Sequence, residues 1–348
     1  MPPAQFTSPF PKLELNHEQR EQLQTMAYSL VDEAQAQYEQ FINEDRGTLD
    51  GSKWVLQRTK EDVRVYHDRR SAGDTGSKDM QMLLTYGTVL GDLNDAMYGV
   101  ISHTTDAMRI KTEYVDDATM DSAVLETVLD PTADEPFQSM TVRWYVKSVP
   151  MRVRAVSKHR DSVYLEATGF RRLTNGEHIG YHLMHSIAFP KTPALPTYDR
   201  ANMSICSLWR QQTPQRVEST FTAPPDADGA AGDGCAVCGG NARSARRGAK
   251  SACVICPKAI CKQCVIKREL ILCAPGGNLL KQELRFCLHC LTTAHQLNAA
   301  EIARAEVPKH RARASSLHRR TPHERSAGGY TSSTSSGVSS DDRLYQKL

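Results

Sequence analysis

The sequence predicts an α+β protein, with one helix and antiparallel-sheet domain, a small cysteine-held unit and a disordered tail. Three observations predict it. Apolar residues recur at three- and four-residue steps over 16–44 and at two-residue steps in several later segments. Eight of the ten cysteines form four C-x-x-C pairs within fifty-six residues. The stretch beyond Pro308, with its TSSTSSGVSS run, has too little apolar content to form a core.

In chain order, residues 1–15 are an N-terminal extension and residues 16–222 the main domain. Leu23, Met26, Ala27, Leu30, Val31, Ala34, Tyr38, Phe41 and Ile42 put one apolar face on a long helix. Asn16 is placed to cap it, because its side-chain oxygen can accept the unpaired first-turn N–H groups. Gly47 and Gly51 end the pattern. Alternation then marks strands at Val63–Tyr66, Val142–Val146, Val163–Ala167 and Tyr181–Ile187. Asn175-Gly176 is a strong hairpin signal, and SAGDTGSK (71–78) reads as a loop. A short helix is expected over Asp92–Ile101, where Leu93, Met97 and Ile101 fall at four-residue steps. Together these describe a meandering antiparallel sheet with helices.

APPDADGAAGDG (223–234) can hold no useful helix or strand and is the linker. The cysteine-rich unit spans 235–297. In the final segment, 298–348, a helix over Thr292–Glu306 with Leu297 and Ile302 on its apolar side runs in from the finger, stops at Pro308 and gives way to a disordered basic, Ser-rich tail.

With 348 residues, 40% hydrophobic and 24% charged, the chain suits about two globular domains. The N-terminus lacks a basic start followed by an apolar core, and no run approaches the ~18 apolar residues of a membrane span. Pro2 excludes N-myristoylation and the C-terminus has no prenylation cysteine. The expectation is a cytoplasmic protein, peripheral on endosomal membranes if it meets lipid. The net charge of +3 hides an asymmetry: residues 235–297 carry ten Lys/Arg against Glu269 and Glu283, whereas residues 1–234 are net acidic. Thiolates and zinc together would offset part of that positive charge.

Trp54, EDVRVYHD (61–68), GTVLGDLNDAMYGVI (87–101), HRDSVYLEATG (159–169) and IGYHLMHSI (179–187) resemble a START domain. The resemblance covers residues ~10–222 and implies a curved antiparallel sheet gripping a long helix around an apolar cavity that binds a lipid or sterol. One departure stands out. The family ends in a long amphipathic helix that closes the cavity, whereas here RVESTFTA runs straight into the linker. Either the interior is filled by its own side chains, or another element covers it, the helix after Cys290 being a candidate.

The pairs Cys235/Cys238, Cys253/Cys256, Cys261/Cys264 and Cys287/Cys290 supply eight thiolates, enough for two closed tetrahedral zinc sites, so two Zn²⁺ per chain are expected. Disulfides or redox dithiols fit less well, because no signal peptide precedes them and one redox motif does not explain four in succession. Gaps of fourteen, four and twenty-two residues separate the pairs. The short gap in CVICPKAICKQC, a cysteine at 261 and LRFCLHC at the last pair resemble a FYVE-type finger. The resemblance implies interleaved ligation: Cys235, Cys238, Cys261 and Cys264 on one zinc, Cys253, Cys256, Cys287 and Cys290 on the other. It also implies phosphoinositide contact, for which Arg246, Arg247 and Lys250 are the lipid-binding candidates. This chain lacks the family's W-x-x-D and its histidine pair, and has Val254 where an arginine belongs, so head-group specificity is reduced.

The function expected is that of a non-enzymatic, zinc-binding adaptor with peripheral membrane or lipid binding; the alternative is a zinc-stabilised protein-interaction scaffold. No motif pairs an activated nucleophile with a base. Nucleic acid is disfavoured as a partner, since Phe286 is the lone aromatic in the basic finger. His182 and His185 lie near Asp161 in strand order but read as structural, and Cys206 and Cys273, outside the pairs, as ordinary buried thiols.

Overall fold

In the computed structural model the long helix α1 (His17–Asn43) begins where the sequence predicts. The Asn16 side chain accepts the Gln19 N–H at 2.8 Å, and the Gln19 side chain accepts the Asn16 N–H at 3.0 Å, closing a reciprocal cap. The structure describes residues 8–45, 47–69, 83–115, 118–149, 158–223, 251–252, 259–260, 265–273 and 278–307. The expected loop at 71–78, the linker beyond Ala223 and the tail beyond Val307 lie outside them.

A ten-stranded sheet forms the body, in the order β1 (Trp54–Lys60), β2 (Val63–Asp68), β3 (Leu83–Leu90), β10 (Arg216–Ala223), β9 (Ser204–Thr213), β7 (His178–Ser186), β6 (Arg160–Arg172), β5 (Ser139–Lys147), β4 (Thr119–Leu129). A short β8 (Asp199–Arg200) pairs in parallel with β6. The α+β expectation holds. The meander holds only in two runs, β1 to β3 and β4 to β7. β10 and β9 join them, β10 pairing with β3 and β9, and β9 with β7, which satisfies edges the two runs would otherwise leave open. Gly176, at φ +87°, makes the turn between β6 and β7 that Asn175-Gly176 predicts.

Period-two alternation gives the sheet two different faces. One is apolar: Met140, Val142, Trp144 and Val146 of β5, with Leu165 of β6 and Leu183 of β7, pack against Leu23, Ala27, Val31 and Phe41 of α1. Phe10 and Leu13, which the sequence assigns to the N-terminal extension, belong to the same core, and the Leu13 N–H donates to the Leu125 carbonyl at 3.0 Å. Each such buried aliphatic side chain contributes ~1.5–3 kcal/mol.

The other face is covered by α2 (Leu93–Val100), α3 (Thr105–Val115) and a helix over residues 299–307, α5. Instead of one helix over Thr292–Glu306, the chain forms α4 (Leu288–His295), breaks, and restarts where the Asn298 side chain accepts the N–H groups of Ala300 and Glu301 at 3.0 and 3.1 Å. Leu297 is 55% exposed, whereas Ala300, Ala303 and Val307 are buried. The seam thus uses small residues, which let the helix backbone approach α2 closely. Before α4, β13 (Val265–Cys273) and β14 (Leu279–Cys287) form a hairpin that rests on α3. Among the described residues no helix is long and apolar enough to cross a membrane.

Candidate functional site

The centre of the second face is polar although both faces of these strands are covered. β5, β6 and β7 each carry one ionisable residue between apolar neighbours: Arg143 between Val142 and Trp144, Glu166 between Leu165 and Ala167, His182 between Tyr181 and Leu183. Alternation turns all three away from α1. Arg143 is 2% exposed, Glu166 4% and His182 8%.

Their hydrogen bonds interlock. The Arg143 guanidinium donates to Thr141 Oγ1 at 2.7 Å, to Ser102 Oγ at 3.0 Å and to the Ser102 carbonyl at 2.8 Å, and pairs with Glu166 Oε2. The other Glu166 oxygen lies 2.6 Å from His182 Nε2. The His182 ring stacks on Trp209, with centroids 6.3 Å apart and planes 22° apart. Burial alone would raise the Glu166 pKa, but the charges of Arg143 and His182 and the His182 hydrogen bond outweigh it and hold the carboxyl down at about 2. The carboxylate is therefore ionised and serves as an acceptor.

Apolar and sulfur-bearing side chains surround this trio. Met108, Tyr164, Met203 and Ile205 cluster on one side, with Tyr145 and Met184 packed against them. On the other side, Met97 and Phe137 meet Ala300 and Ala303 of α5, with Phe170 and Trp209 alongside. Met97 sits directly over Gly180: a Cβ there would lie 2.3 Å from its sulfur, so the glycine permits the contact. Chemically, the arrangement is a polar anchor offering charge-assisted hydrogen bonds at the centre of an apolar layer.

His182 and His185 are structural, as the sequence reads, and neither is partnered with Asp161. Asp161 accepts two hydrogen bonds from Arg200, both at 2.9 Å, and one from Trp144 Nε1 at 3.1 Å. His185 Nδ1 lies 3.0 Å from Ser204 Oγ, and burial lowers its pKa. His182 is a core histidine whose partner is Glu166. The signal that points to the trio is an Arg, a Glu and a His, each flanked by apolar residues near the middle of three successive strands.

Six of the proposed zinc ligands (Cys235, Cys238, Cys253, Cys256, Cys261 and Cys264) and the lipid candidates Arg246, Arg247 and Lys250 lie outside the described residues. Cys287 is described by its backbone as the last residue of β14, and Cys290 is buried in α4. The short strands β11 (Ser251–Ala252) and β12 (Ala259–Ile260) pair with each other, and β11 lies beside β14. β11 ends one residue before Cys253 and β12 one residue before Cys261; β13 starts one residue after Cys264, with Val265 opposite Cys287. Strand ends of one small unit thus flank three of the four pairs, a framework compatible with the all-thiolate donor set that structural zinc takes. Among the described residues no group of three or more His, Cys, Asp or Glu is placed to hold a metal.

No family model matches the chain, and no curated protein matches it. Among solved structures the chain is similar to human StAR-related lipid transfer protein 5, with 14% identity and a TM-score of 0.42 over 61% of this chain and 86% of that one. It is also similar to the lipid transfer and protein localization domain of human StarD13, with 15% identity and a TM-score of 0.35 over 61% of this chain and 83% of that one. A STAR-related lipid transfer protein from Xanthomonas axonopodis has 13% identity and a TM-score of 0.35 over 49% of this chain and 80% of that one.

Proposed function

We propose that this chain is a non-enzymatic adaptor whose START-like half binds an apolar molecule bearing one polar group, and whose cysteine-rich half binds two zinc ions and contacts anionic membrane. The observation that carries the first part is the polar trio Arg143, Glu166 and His182, buried at the centre of a methionine- and aromatic-lined layer. Burying ionisable groups is costly and a weak source of stability, so a layer retaining three of them fits a role in recognition. A single hydroxyl or carbonyl among these donors and acceptors would be oriented while the rest of the molecule met apolar surface.

In the cysteine-rich half, Cys235, Cys238, Cys253, Cys256, Cys261, Cys264, Cys287 and Cys290 would hold the metal, and Arg246, Arg247 and Lys250 would face lipid phosphates. Zinc would supply folding energy there and no chemistry. Finger peptides gain ~10–16 kcal/mol from it, more than an apolar core of this size provides. Ser102 has an arginine beside its hydroxyl where a catalytic serine needs a base, which fits a binding role.

Met97 seated over Gly180, with 0% exposure, favours a second reading in which the layer is filled by its own side chains and the chain is a zinc-stabilised scaffold for another protein. Native mass spectrometry of the purified full chain separates the two. Two zinc ions with a co-purified apolar molecule support the first reading; two zinc ions with none support the scaffold. A metal-free spectrum of reduced protein defeats both zinc readings.

A further inference from the structure

We infer that His182 presents a bare acceptor nitrogen to the layer on the second face, so that the polar group this half recognises is a hydrogen-bond donor, an alcohol and not a carbonyl. This rests on the binding role proposed above for the trio. Glu166 decides where the imidazole proton sits. Its carboxyl, paired with Arg143, is ionised, and an ionised carboxylate can only accept. With His182 Nε2 2.6 Å from Glu166 Oε1, the proton of a neutral imidazole must lie on Nε2. A neutral ring is also the form that leaves no unpaired charge in the layer, because Arg143 and Glu166 offset each other. Nδ1 is then a lone-pair acceptor on the opposite side of the ring. The ring has little freedom to hide it, being held at Nε2 by Glu166 and stacked on Trp209.

Among the described residues no hydrogen bond reaches His182 Nδ1, although the residue is only 8% exposed. The hydroxyls of the layer are engaged elsewhere. Thr168, opposite His182 on β6, gives its proton to the Phe137 carbonyl at 2.8 Å. The Tyr145 hydroxyl is directed at the Met203 sulfur at 3.4 Å. Thr141 and Ser102 accept from Arg143 and keep rotatable protons of their own. Those two hydroxyls serve an alcohol and a carbonyl alike, so the discrimination falls to His182. An alcohol donates to Nδ1 and satisfies it. A carbonyl sets its own lone pairs against that nitrogen and leaves a buried acceptor unpaired, which is the more costly state.

Direct competition tests this. The full chain, at about pH 8 where an ordinary histidine is neutral, is incubated with an equimolar alcohol and ketone of one skeleton, separated by gel filtration, and its bound probe quantified by gas chromatography. Two pairs cover flexible and rigid shapes: a secondary fatty alcohol with its ketone, and cholestanol with cholestanone. In each pair that binds, the alcohol is expected to be favoured on the order of ten-fold. Equal occupancy, or a preference for the ketone, overturns this inference and leaves the binding role standing. If no probe of either pair is retained, the binding role falls and this inference falls with it. Glu166→Gln gives a sharper reading. Arg143 has only donors, so it keeps the amide oxygen and turns the amide NH2 towards His182 Nε2. The imidazole proton must then move to Nδ1, and the preference is expected to invert in favour of the ketone. A merely structural trio would not reverse it, so a preference that stays with the alcohol overturns the inference. Where Glu166→Gln does not fold, His182→Phe keeps a ring on Trp209 without either nitrogen, and its preference is expected to fall to parity. An undiminished alcohol preference in that variant overturns the inference as well.

Discussion

His182 Nε2 lies 2.6 Å from Glu166 Oε1, in a layer where neither residue is more than 8% exposed. Each lies between apolar neighbours on its strand, and Arg143 completes the set from β5. Removing Glu166 takes a partner from both Arg143 and His182 while they stay buried, which is more costly than never having buried them. The trio is therefore a sensitive point of the main domain, whatever it binds.

Glu166→Gln keeps the shape and removes the charge that Arg143 needs. We expect a loss of ~3–5 kcal/mol in urea unfolding, the range for breaking a buried ion pair. The pH dependence has a defined sign. The folded carboxyl titrates at about 2, below its ordinary 4.5, so its contribution is complete above 4.5 and is lost as pH falls towards 2. Between those values the wild type should lose stability more steeply than Glu166→Gln, and parallel slopes would remove the ion pair from the account.

Met97 over Gly180 gives a packing test independent of charge. Gly180→Ala places a Cβ 2.3 Å from the Met97 sulfur and 2.9 Å from its Cγ, so the side chain must move. Overpacking of this kind costs ~1–3 kcal/mol. Met97→Ala should cost ~2–5 kcal/mol by itself through the cavity it leaves. The double variant should be more stable than the sum of the two losses, because each change relieves the other. Strict additivity in denaturant unfolding would mean that α2 does not sit on β7 in solution.

Much of this architecture is legible in the sequence, and the gaps have physical causes. The capping pair Asn16 and Gln19, the Asn175-Gly176 turn and the alternation of β5 to β7 are local patterns, and local patterns survive folding. The pairing of β3 with β10 is not local: 125 residues separate Leu90 from its partner Arg216 at positions 90 and 216, and nothing in either strand names its partner. α3 is hidden because only Met108 on it is fully buried, so its apolar stripe is too weak to show a period. The trio was obscured for a related reason. Asp161 is nearer to His182 than to Arg200 in the sequence, but the side chains meet by face, and His182 falls on the face of Glu166.

Cys206 separates structural thiols from proposed ligands. It is partly buried on β9, and burial pushes its thiol up to about 12, so almost none is thiolate at neutral pH. In the folded protein it should resist maleimide for as long as the native state persists, and on the zinc reading proposed above Cys206→Ser should leave the zinc content unchanged. Cys253→Ser should lower the zinc count. Rapid labelling of Cys206 under native conditions would show that β9 opens readily.

Asp161 supplies the last prediction. It is 0% exposed, and Arg200 and Trp144 both donate to it. Arg200 also donates to the carbonyls of Thr192 and Pro193 at 3.2 and 3.1 Å, so the same knot fastens the segment between β7 and β8. Its guanidinium stacks over Phe10, and Phe10 packs edge-on against Trp144 at 6.0 Å. Asp161→Ala leaves the indole N–H without an acceptor, but Arg200, 21% exposed, can turn to water. The loss should therefore fall near ~3 kcal/mol, the lower end for a broken buried pair. Asp161→Asn retains one acceptor oxygen and should lose less. Hydrogen exchange should rise over residues 189–200 in both variants and more in the alanine. A stability loss without that local rise would place the effect in the Trp144 contact and not in Arg200.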